Sequence, residues 1–260
     1  MDVVLLKLGG SLITEKSRAE TPRPEVIARL AGEIARAARE IPVRLIAGHG
    51  SGSFGHVAAR DSGIAGGLRS PDQLPGVSRT QERAAALHRL VIQALEEAGA
   101  LPFSLAPSSC MVAAGGRVAA FHDEPLLLAL ERGLLPVLYG DVVLDRERGV
   151  SICSTETVLD AVARRLLERG HTVCKALWLG ETDGLYDAEG RTIPRVSAAD
   201  VLDSVGDPSG ADVTGGMRHR IESALELARL GVPSVLINGL RAGELERALK
   251  GEAVQGTEVV

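Results

Sequence analysis

The first fifty residues alternate between short apolar runs and glycine-rich turns, and this alternation restricts the possible folds more than any other feature of the chain. An apolar run at 3–8 ends in Gly9-Gly10-Ser11, an amphipathic segment follows at 25–40, and a second apolar run occupies 43–47. The order strand, helix, strand indicates a parallel sheet whose strands are joined by crossover helices. Ligands of such sheets bind beyond the carboxyl ends of the strands, where both glycine turns lie. The sequence therefore predicts an α/β fold with a binding site at that edge.

The second glycine turn, residues 48–56, has the sequence GHGSGSFGH and follows directly after an apolar run. Since glycine has no Cβ atom, the backbone can approach a ligand closely, and successive N–H groups can surround an anion. Ser51 and Gly52 lie at the centre of this turn, and an imidazole, His56, ends it. These features predict a phosphate-binding turn with a specificity residue attached. A tight strand-to-helix connection that binds nothing is the alternative, which the mixture of glycines, serines and histidines disfavours.

Two lysines near the first glycine turn are candidates for binding an anion. Lys7 lies near the end of the apolar run at 3–8, where a buried ammonium is costly unless it reaches a ligand or an anion. We therefore interpret Lys7 as a functional residue in preference to an edge-strand lysine that extends its charge into solvent. Lys16 follows nine residues later, and its local sequence fits an ordinary surface lysine equally well.

The later predicted strands also end in glycine-rich or acidic turns. The strand at 134–139 precedes Gly140-Asp141, and the strand at 172–179 precedes the polar stretch 180–186. The segment 212–217, DVTGGM, places glycines and a threonine at the start of a helix, which is a favourable position for an anion. Several candidate binding turns are thus expected along one edge of the sheet.

The residue types at these turns indicate the kind of chemistry. They include lysines, an arginine, a histidine and acids, but no nucleophile elbow and no His/Cys spacing typical of a metal site, so we assign no metal-ligating side chain. Such a set suits phosphoryl transfer, because positioning and stabilisation of charge on the moving phosphoryl group supply most of the catalysis. A Walker A motif, a protein-kinase glycine loop and the GxGxxG spacing of dinucleotide-binding proteins are absent from the sequence.

Composition disfavours several other function classes. The 260-residue chain has a net charge of −5 and only 2% aromatic residues, which argues against binding to nucleic acid or to a membrane surface. No apolar run approaches the ~20 residues of a membrane span, and the start lacks the basic segment of a signal peptide. The cysteines, Cys110, Cys153 and Cys174, show no CxxC spacing and are expected to be reduced in the cytoplasm.

Local patterns predict the connections between these elements. Residues 61–77 are rich in glycine, proline and serine and predict a surface loop, and capping-box spacing at Ser78 predicts the start of a helix. Hairpins are expected at Gly115-Gly116 and near Arg148-Gly149. Because no repeat, linker or low-complexity segment separates the two halves, we expect one domain, 1–260, built on one continuous sheet.

Several of these motifs together resemble one known family. Lys7-Leu8-Gly9-Gly10-Ser11, through Lys16, is similar to the N-terminal signature of the amino acid kinase superfamily. Within it, residues 49–56 closely resemble the H-G-x-G-S-F-G-H turn of isopentenyl phosphate kinases. The motifs at 139–141, 183–186 and 212–217 are similar to later motifs of that family and occur in the same order. The resemblance spans nearly the whole chain. His56 is the residue that narrows it from the superfamily to the isopentenyl phosphate kinases.

This resemblance implies both a fold and a reaction. The fold would be a three-layer αβα sandwich with a mostly parallel central sheet, in which about 1–150 binds the acceptor and about 151–260 binds the nucleotide. The reaction would be ATP-dependent phosphorylation of isopentenyl phosphate to isopentenyl diphosphate, with Mg²⁺, in isoprenoid biosynthesis. The family also implies a homodimer.

The resemblance further implies roles for individual residues. His56 would donate a hydrogen bond to the acceptor phosphate, Gly140 would contact the acceptor, and backbone N–H groups near Ser51 and Gly52 would hold phosphates. Lys7 and Lys16 would neutralise charge on the moving γ-phosphoryl group. The implied ATP-binding set is Lys7, Gly9, Gly10, Ser11, Gly52, Asp183, Tyr186, Gly215, Gly216 and Arg220. The helix from Ser78 and the region 112–130 are the expected neighbours of the isoprenoid chain.

The sequence departs from the family pattern at three places. Arg220 replaces the usual lysine, residues 154–156 are Ser-Thr-Glu where the family has S-G-D, and residues 180–184 are GETDG where it has T-D-V-D-G. Two other functions remain open at this point. One is a kinase of the same superfamily that acts on a phosphonate such as fosfomycin, and the other is a non-catalytic protein that binds a nucleotide or an anion.

Overall fold

The computed structural model describes residues 1–197 and 215–260. The described strands are β1 (Asp2–Leu8), β2 (Arg44–His49), β3 (Pro102–Ser104), β4 (Met111–Ala114), β5 (Arg117–Phe121), β6 (Leu135–Tyr139), β7 (Asp141–Asp145), β8 (Gly149–Cys153), β9 (Thr172–Gly180), β10 (Arg195–Val196), β11 (Ser234–Asn238) and β12 (Gly256–Val259). The described helices are α1 (Gly10–Ile13), α2 (Pro24–Glu40), α3 (Gly52–Asp61), α4 (Leu74–Glu97), α5 (Pro107–Cys110), α6 (Glu124–Glu131), α7 (Thr155–Glu168), α8 (Gly215–Arg229) and α9 (Glu244–Lys250).

The main sheet has eight strands in the order β10-β12-β11-β9-β1-β2-β6-β3. Its pairs are parallel except for the antiparallel pair of β11 with β12. This arrangement confirms the predicted α/β class with a mostly parallel sheet. The carboxyl ends of β9, β1, β2 and β6 are neighbours, so the turns that follow them meet at one edge.

Helices cover both faces of this sheet, as the side chains of β1 show. Val3 and Leu5 are buried in one hydrophobic core, whereas Val4 and Leu6 are buried in a second core on the opposite face. Side chains of α7 and α8 contribute to the first core, and side chains of α2 and α4 contribute to the second. The three layers therefore follow from a central strand that is apolar at consecutive positions.

The expectation of one continuous sheet is wrong, because the two predicted hairpins form a separate sheet in the order β5-β4-β7-β8. The hairpin turns lie where predicted, and Gly115, Gly116 and Gly149 have positive φ angles there. The chain leaves the main sheet at Gly140, between β6 and β7. Both edges of β6 are already paired, one with β2 and one with β3. Strand β7 therefore cannot pair with β6 and lies between β4 and β8 in the second sheet.

Two local predictions also need correction. The helix expected from Ser78 begins at Leu74, so residues 61–77 are only partly a loop. A 3-10 turn with a capping box between Ser70 and Gln73 leads directly into this helix. The turn at 48–56 is shorter than expected, because α3 already begins at Gly52. His56 therefore projects from a helix and not from the turn itself. No helix in the described ranges is both long and apolar enough to cross a membrane.

Candidate active site

The two glycine turns that follow β1 and β2 pack backbone against backbone. A Cβ atom on Gly10 would lie 2.7 Å from the nitrogen of Gly52, and one on Gly50 would lie 2.7 Å from the nitrogen of Gly10. The Gly50 N–H group donates a hydrogen bond of 2.9 Å to the carbonyl of Leu8, and Gly52 has a φ angle of +50°. Glycine is required here because any side chain would separate the two turns.

Two backbone N–H groups at the start of α3 have no hydrogen-bond acceptor among the described residues. The N–H group of Ser53 donates to the hydroxyl of Thr14 at 3.0 Å. The N–H groups of Ser51 and Gly52 make no hydrogen bond to any described residue. Successive open N–H groups at a helix N-terminus attract an anion, and this is the place where the sequence predicts a bound phosphate.

The first glycine turn differs in how its N–H groups are used. The N–H group of Gly9 donates to the carbonyl of Leu179 at 3.0 Å, which ties this turn to the end of β9. Gly10 and Ser11 are the first residues of α1. Ser11 is partly buried, and the turn therefore presents backbone atoms and one small polar side chain at the shared edge.

Lys7 is buried and pairs with a carboxylate from the second half of the chain. Its Nζ lies 2.6 Å from Oε1 of Glu156, and both side chains are at most 10% exposed. Burial raises the pKa of the Glu156 carboxyl, but the Lys7 ammonium outweighs this effect and holds the pKa below its ordinary value. Ser154 accepts a hydrogen bond from the Thr157 N–H group and so caps α7, which places Glu156 in the first helical turn.

A second group of charges lies at the end of β9. The Nζ of Lys16 lies 3.6 Å from Glu181 in a mostly exposed ion pair. The guanidinium of Arg220 is buried against Gly180, where even a Cβ atom would overlap it. Burial lowers the pKa of Arg220, while Glu156 and Glu181 both act to raise it, so Arg220 lies within the field of both carboxylates. The structure thus links the Lys7 and Lys16 ion pairs through one arginine.

His56 lies on α3, close to the buried ion pair. Its side chain is exposed. Partial desolvation lowers its pKa, the Glu156 carboxylate acts to raise it, and the Lys7 ammonium acts to lower it. The net shift is downward, so His56 is neutral at neutral pH and can donate one hydrogen bond to a ligand.

Gly140 is held at the end of β6 by two contacts. Its N–H group donates to the carbonyl of His49 at 3.1 Å, and a Cβ atom there would lie 3.3 Å from the hydroxyl oxygen of Thr155. The Thr155 hydroxyl also donates to the His49 carbonyl, at 2.6 Å. Gly140 therefore lies directly beside the glycine turn at the end of β2.

Asp183 and Tyr186 lie in the segment that follows β9. The carboxylate of Asp183 accepts hydrogen bonds from Asn238 at 2.9 Å and from Arg241 at 2.6 Å. Its N–H group donates to the Tyr186 hydroxyl at 3.0 Å, and the Tyr186 side chain is partly exposed. These contacts fix the segment against the end of β11, so the Asp183 carboxylate is already engaged by protein groups.

The model of the amino acid kinase family matches residues 2–238. The chain belongs to the amino acid kinase family. It is 34% identical to an isopentenyl phosphate kinase of Methanothermobacter thermautotrophicus, over 99% of this chain and 98% of the relative. It is also 34% identical to an isopentenyl phosphate kinase of Haloferax volcanii, over 90% of each chain. A solved isopentenyl phosphate kinase structure superposes with a TM-score of 0.83 at 31% identity, covering 98% of this chain and 99% of that one.

The remaining predicted residues of this amino acid kinase lie at the start of α8. Gly215 is the first residue of this helix and Gly216 is the second. The preceding part of the DVTGGM motif, 212–214, lies outside the described residues. Arg220 follows on the same helix, which therefore brings this motif to the end of β9 through the contact with Gly180.

Sequence reasoning missed two carboxylates of this amino acid kinase. Both stand among the departures from the family pattern, yet Glu156 pairs with Lys7, and Glu181 pairs with Arg23 at 2.9 Å as well as with Lys16 at 3.6 Å. A signal for Glu156 was present, because a buried strand lysine requires a counterion, and Glu156 lies two residues after a serine that can cap the start of a helix. The pairing of Glu181 could not be inferred, because Lys16 and Arg23 both lie in the connection between α1 and α2, far in sequence from the end of β9.

Proposed function

We propose that this protein transfers the γ-phosphoryl group of ATP to isopentenyl phosphate, forming isopentenyl diphosphate and ADP. The observation that carries the proposal is the position of His56 beside the Lys7–Glu156 pair and the open N–H groups of the glycine turn. Such an arrangement suits an acceptor that itself bears a phosphate. The two relatives that match 99% and 90% of this chain are both isopentenyl phosphate kinases, which supports the same substrate.

The acceptor needs no general base in this reaction. An oxygen of the ionised acceptor phosphate attacks the γ-phosphorus, a new P–O bond forms, and the bond to the β-phosphate oxygen breaks with its electron pair leaving on ADP. His56 would hold the acceptor phosphate, and the N–H groups of Ser51 and Gly52 would hold phosphate oxygens. Lys7, Lys16 and Arg220 supply positive charge where negative charge shifts during transfer.

Magnesium would enter with the nucleotide. Among the described residues, no group of three or more His, Cys, Asp or Glu side chains is placed to hold a metal ion. Mg²⁺ commonly keeps several waters and binds chiefly through substrate phosphates, which fits a site rich in cations and N–H groups. The ion would neutralise part of the charge of the ATP phosphates, beside the cations Lys7, Lys16 and Arg220.

An apolar region next to His56 is our candidate for the isoprenoid chain. Ala59 and Ile64 on one side and Val142 and Val150 on the other form a small buried cluster. These side chains come from α3, the loop before α4, and the second sheet. None of these four residues belongs to the helix from Ser78 or to residues 112–130, the neighbours expected from the sequence, and the cluster would contact an apolar tail whose phosphate is held at His56.

We also propose that two copies of the chain associate through the β3 edge of the main sheet. Strand β3 pairs only with β6 among the described strands. Leu101, immediately before β3, is 63% exposed. Phe103 in β3, Leu90 in α4 and Leu128 in α6 are partly exposed. An exposed edge with apolar side chains favours pairing with a second chain.

We also propose a cytoplasmic location for the protein. The described cysteines are free thiols, as is usual for proteins of that reducing compartment.

The test of the proposed reaction is ADP formation by the purified protein with MgATP and one acceptor at a time. Isopentenyl phosphate, fosfomycin and N-acetylglutamate are compared at equal concentrations, and Lys7→Met serves as the control for contaminating kinases. We expect turnover with isopentenyl phosphate that is lost in Lys7→Met. Turnover with fosfomycin alone would assign the protein to phosphonate modification, and turnover with none of them would contradict kinase activity on these acceptors.

A further inference from the structure

A buried pair of histidines lies directly beneath the phosphate-binding turn. His49 is the last residue of β2, and its Nε2 lies 2.9 Å from Nδ1 of His88 on α4. Nε2 of His88 lies 2.8 Å from the hydroxyl of Ser104 at the end of β3. Tyr139 stacks on both rings, with centroid distances of 5.7 Å to His49 and 4.3 Å to His88. None of these side chains has a role in the proposed reaction.

The hydrogen-bond partners define which nitrogen of each ring carries a proton. Nδ1 of His49 lies 3.1 Å from the carbonyl oxygen of Gly50, which can only accept, so this nitrogen carries the hydrogen. In the neutral ring Nε2 of His49 then accepts from Nδ1 of His88, and Nε2 of His88 accepts from Ser104. Burial lowers the pKa of His49 to about 4 and that of His88 to about 3, which keeps both rings neutral at neutral pH.

The bond from His49 constrains a peptide group of the phosphate-binding turn. The carbonyl of Gly50 and the N–H group of Ser51 belong to one planar trans peptide, so they point in opposite directions. Because the imidazole holds the carbonyl toward the interior, the Ser51 N–H group points away from the ring. Glycine at position 50 would otherwise allow this peptide to rotate at little cost. A rotated peptide would present a carbonyl oxygen to the phosphate in place of the N–H group.

We propose that His49, held in place by His88, is a positioning residue that keeps the Ser51 N–H group directed at a bound phosphate. This inference rests on the proposed function, in which the turn holds a phosphate of the acceptor or of ATP. His88 and Ser104 contribute by fixing the orientation of the His49 ring from two other elements. The first histidine of the motif thus acts on the peptide between Gly50 and Ser51, while His56 acts on the substrate.

Two substitutions at position 49 separate this role from general stability. His49→Asn keeps a side-chain N–H near the position of Nδ1 and can still donate to the Gly50 carbonyl, whereas His49→Phe retains a ring and removes both hydrogen bonds. Val91→Ala is the matched control, because Val91 is buried on the same helix as His88, three residues further along. It is expected to lower the Tm without affecting the Gly50 peptide.

Steady-state kinetics with isopentenyl phosphate and MgATP provide the main readout. We expect His49→Phe to lower kcat/KM by about 10–100-fold, since a misdirected N–H donor loses stabilisation of the reacting phosphates. His49→Asn should remain within about threefold of the wild type, and Val91→Ala should match the wild type once corrected for folded protein. Equal kcat/KM for His49→Phe and Val91→Ala, or equal losses in both His49 variants, would overturn the inference.

A binding measurement keeps the inference testable if the proposed reaction fails. If the wild-type protein does not phosphorylate isopentenyl phosphate, the same variants are titrated with pyrophosphate by calorimetry. Weaker binding by His49→Phe, with affinity retained by His49→Asn, would support the positioning role. No binding by the wild-type protein, or equal affinity for all variants, would overturn it.

Discussion

Lys7 and Glu156 are the residues whose mutual placement most affects the charge of the site. Their ion pair of 2.6 Å is almost completely buried, and removal of one partner would leave an uncompensated charge. We expect Glu156→Gln to lower the free energy of unfolding by about 3–5 kcal/mol, measured by urea denaturation. Glu156→Asp, which keeps the charge on a shorter side chain, is the control and should lose less. A change below about 1 kcal/mol in Glu156→Gln would show that the pair does not contribute to stability.

His56 is predicted to act on the acceptor more than on the nucleotide. We expect His56→Ala to lower kcat/KM for isopentenyl phosphate by about 100-fold, because a hydrogen bond to the acceptor phosphate is lost in the transition state. The dissociation constant for MgATP, measured by calorimetry, should change by less than about threefold. His219→Ala is the control, since His219 is an exposed histidine in the electrostatic neighbourhood of His56. Equal losses for both substrates would contradict the acceptor role.

The His49–His88 pair makes stability depend on pH. Each ring has a pKa below its ordinary value of 6.5 in the folded state, so between about pH 6.5 and 4 the unfolded chain binds more protons. The free energy of unfolding should therefore fall as the pH decreases through this window, by about 1.4 kcal/mol per pH unit for each titrating ring. In His88→Asn, which does not titrate, urea denaturation at pH 7.0 and 5.5 should show a smaller difference than in the wild type. An identical difference would refute this contribution.

At the scale of elements, the contact between β9 and α8 brings the C-terminal half to the site. Gly180 ends β9, and a Cβ atom there would overlap the guanidinium of Arg220 on α8. We expect Gly180→Ala to displace Arg220 and raise the KM for ATP by about tenfold, with a smaller effect on the KM for the acceptor. The larger effect on ATP follows from the proposed contact of Arg220 with the nucleotide, which the family resemblance implies.

A second glycine provides the control for this element-scale prediction. Gly32 lies within α2, where an added Cβ would meet only the flexible end of Arg36, at 3.2 Å. Gly32→Ala should leave both KM values unchanged and stabilise the protein by about 0.5–1 kcal/mol, because alanine favours the helix. If Gly180→Ala left the KM for ATP unchanged, the contact would have no bearing on nucleotide binding.

For the whole molecule, the proposed dimer predicts that a charge at the β3 edge prevents two chains from associating. Leu101→Glu places a charge on an exposed position immediately before β3 and should convert a dimer into a monomer in sedimentation velocity. Leu240→Glu is the matched control, because Leu240 is also exposed but follows β11 on the other half of the sheet. A dimer that persists in Leu101→Glu, or that is lost in both variants, would contradict an interface at this edge.

The sequence by itself determined the features that depend on local periodicity and turn chemistry. Strand β1, helix α2 and the hairpin at Gly115-Gly116 lie close to their predicted positions, because apolar spacing and glycine conformation act over a few residues. The glycine turn after β2 was also evident, since its unusual composition lies in one continuous segment.

Only the tertiary structure decided which distant residues share the site. Lys7 and Glu156 are 149 residues apart in sequence, and His49 reaches His88 across 39 residues. The separation of the hairpins into a second sheet likewise depends on β3 occupying the free side of β6. These contacts follow from the order of strands in the sheet, which is set by packing of the whole chain and which no local pattern specifies.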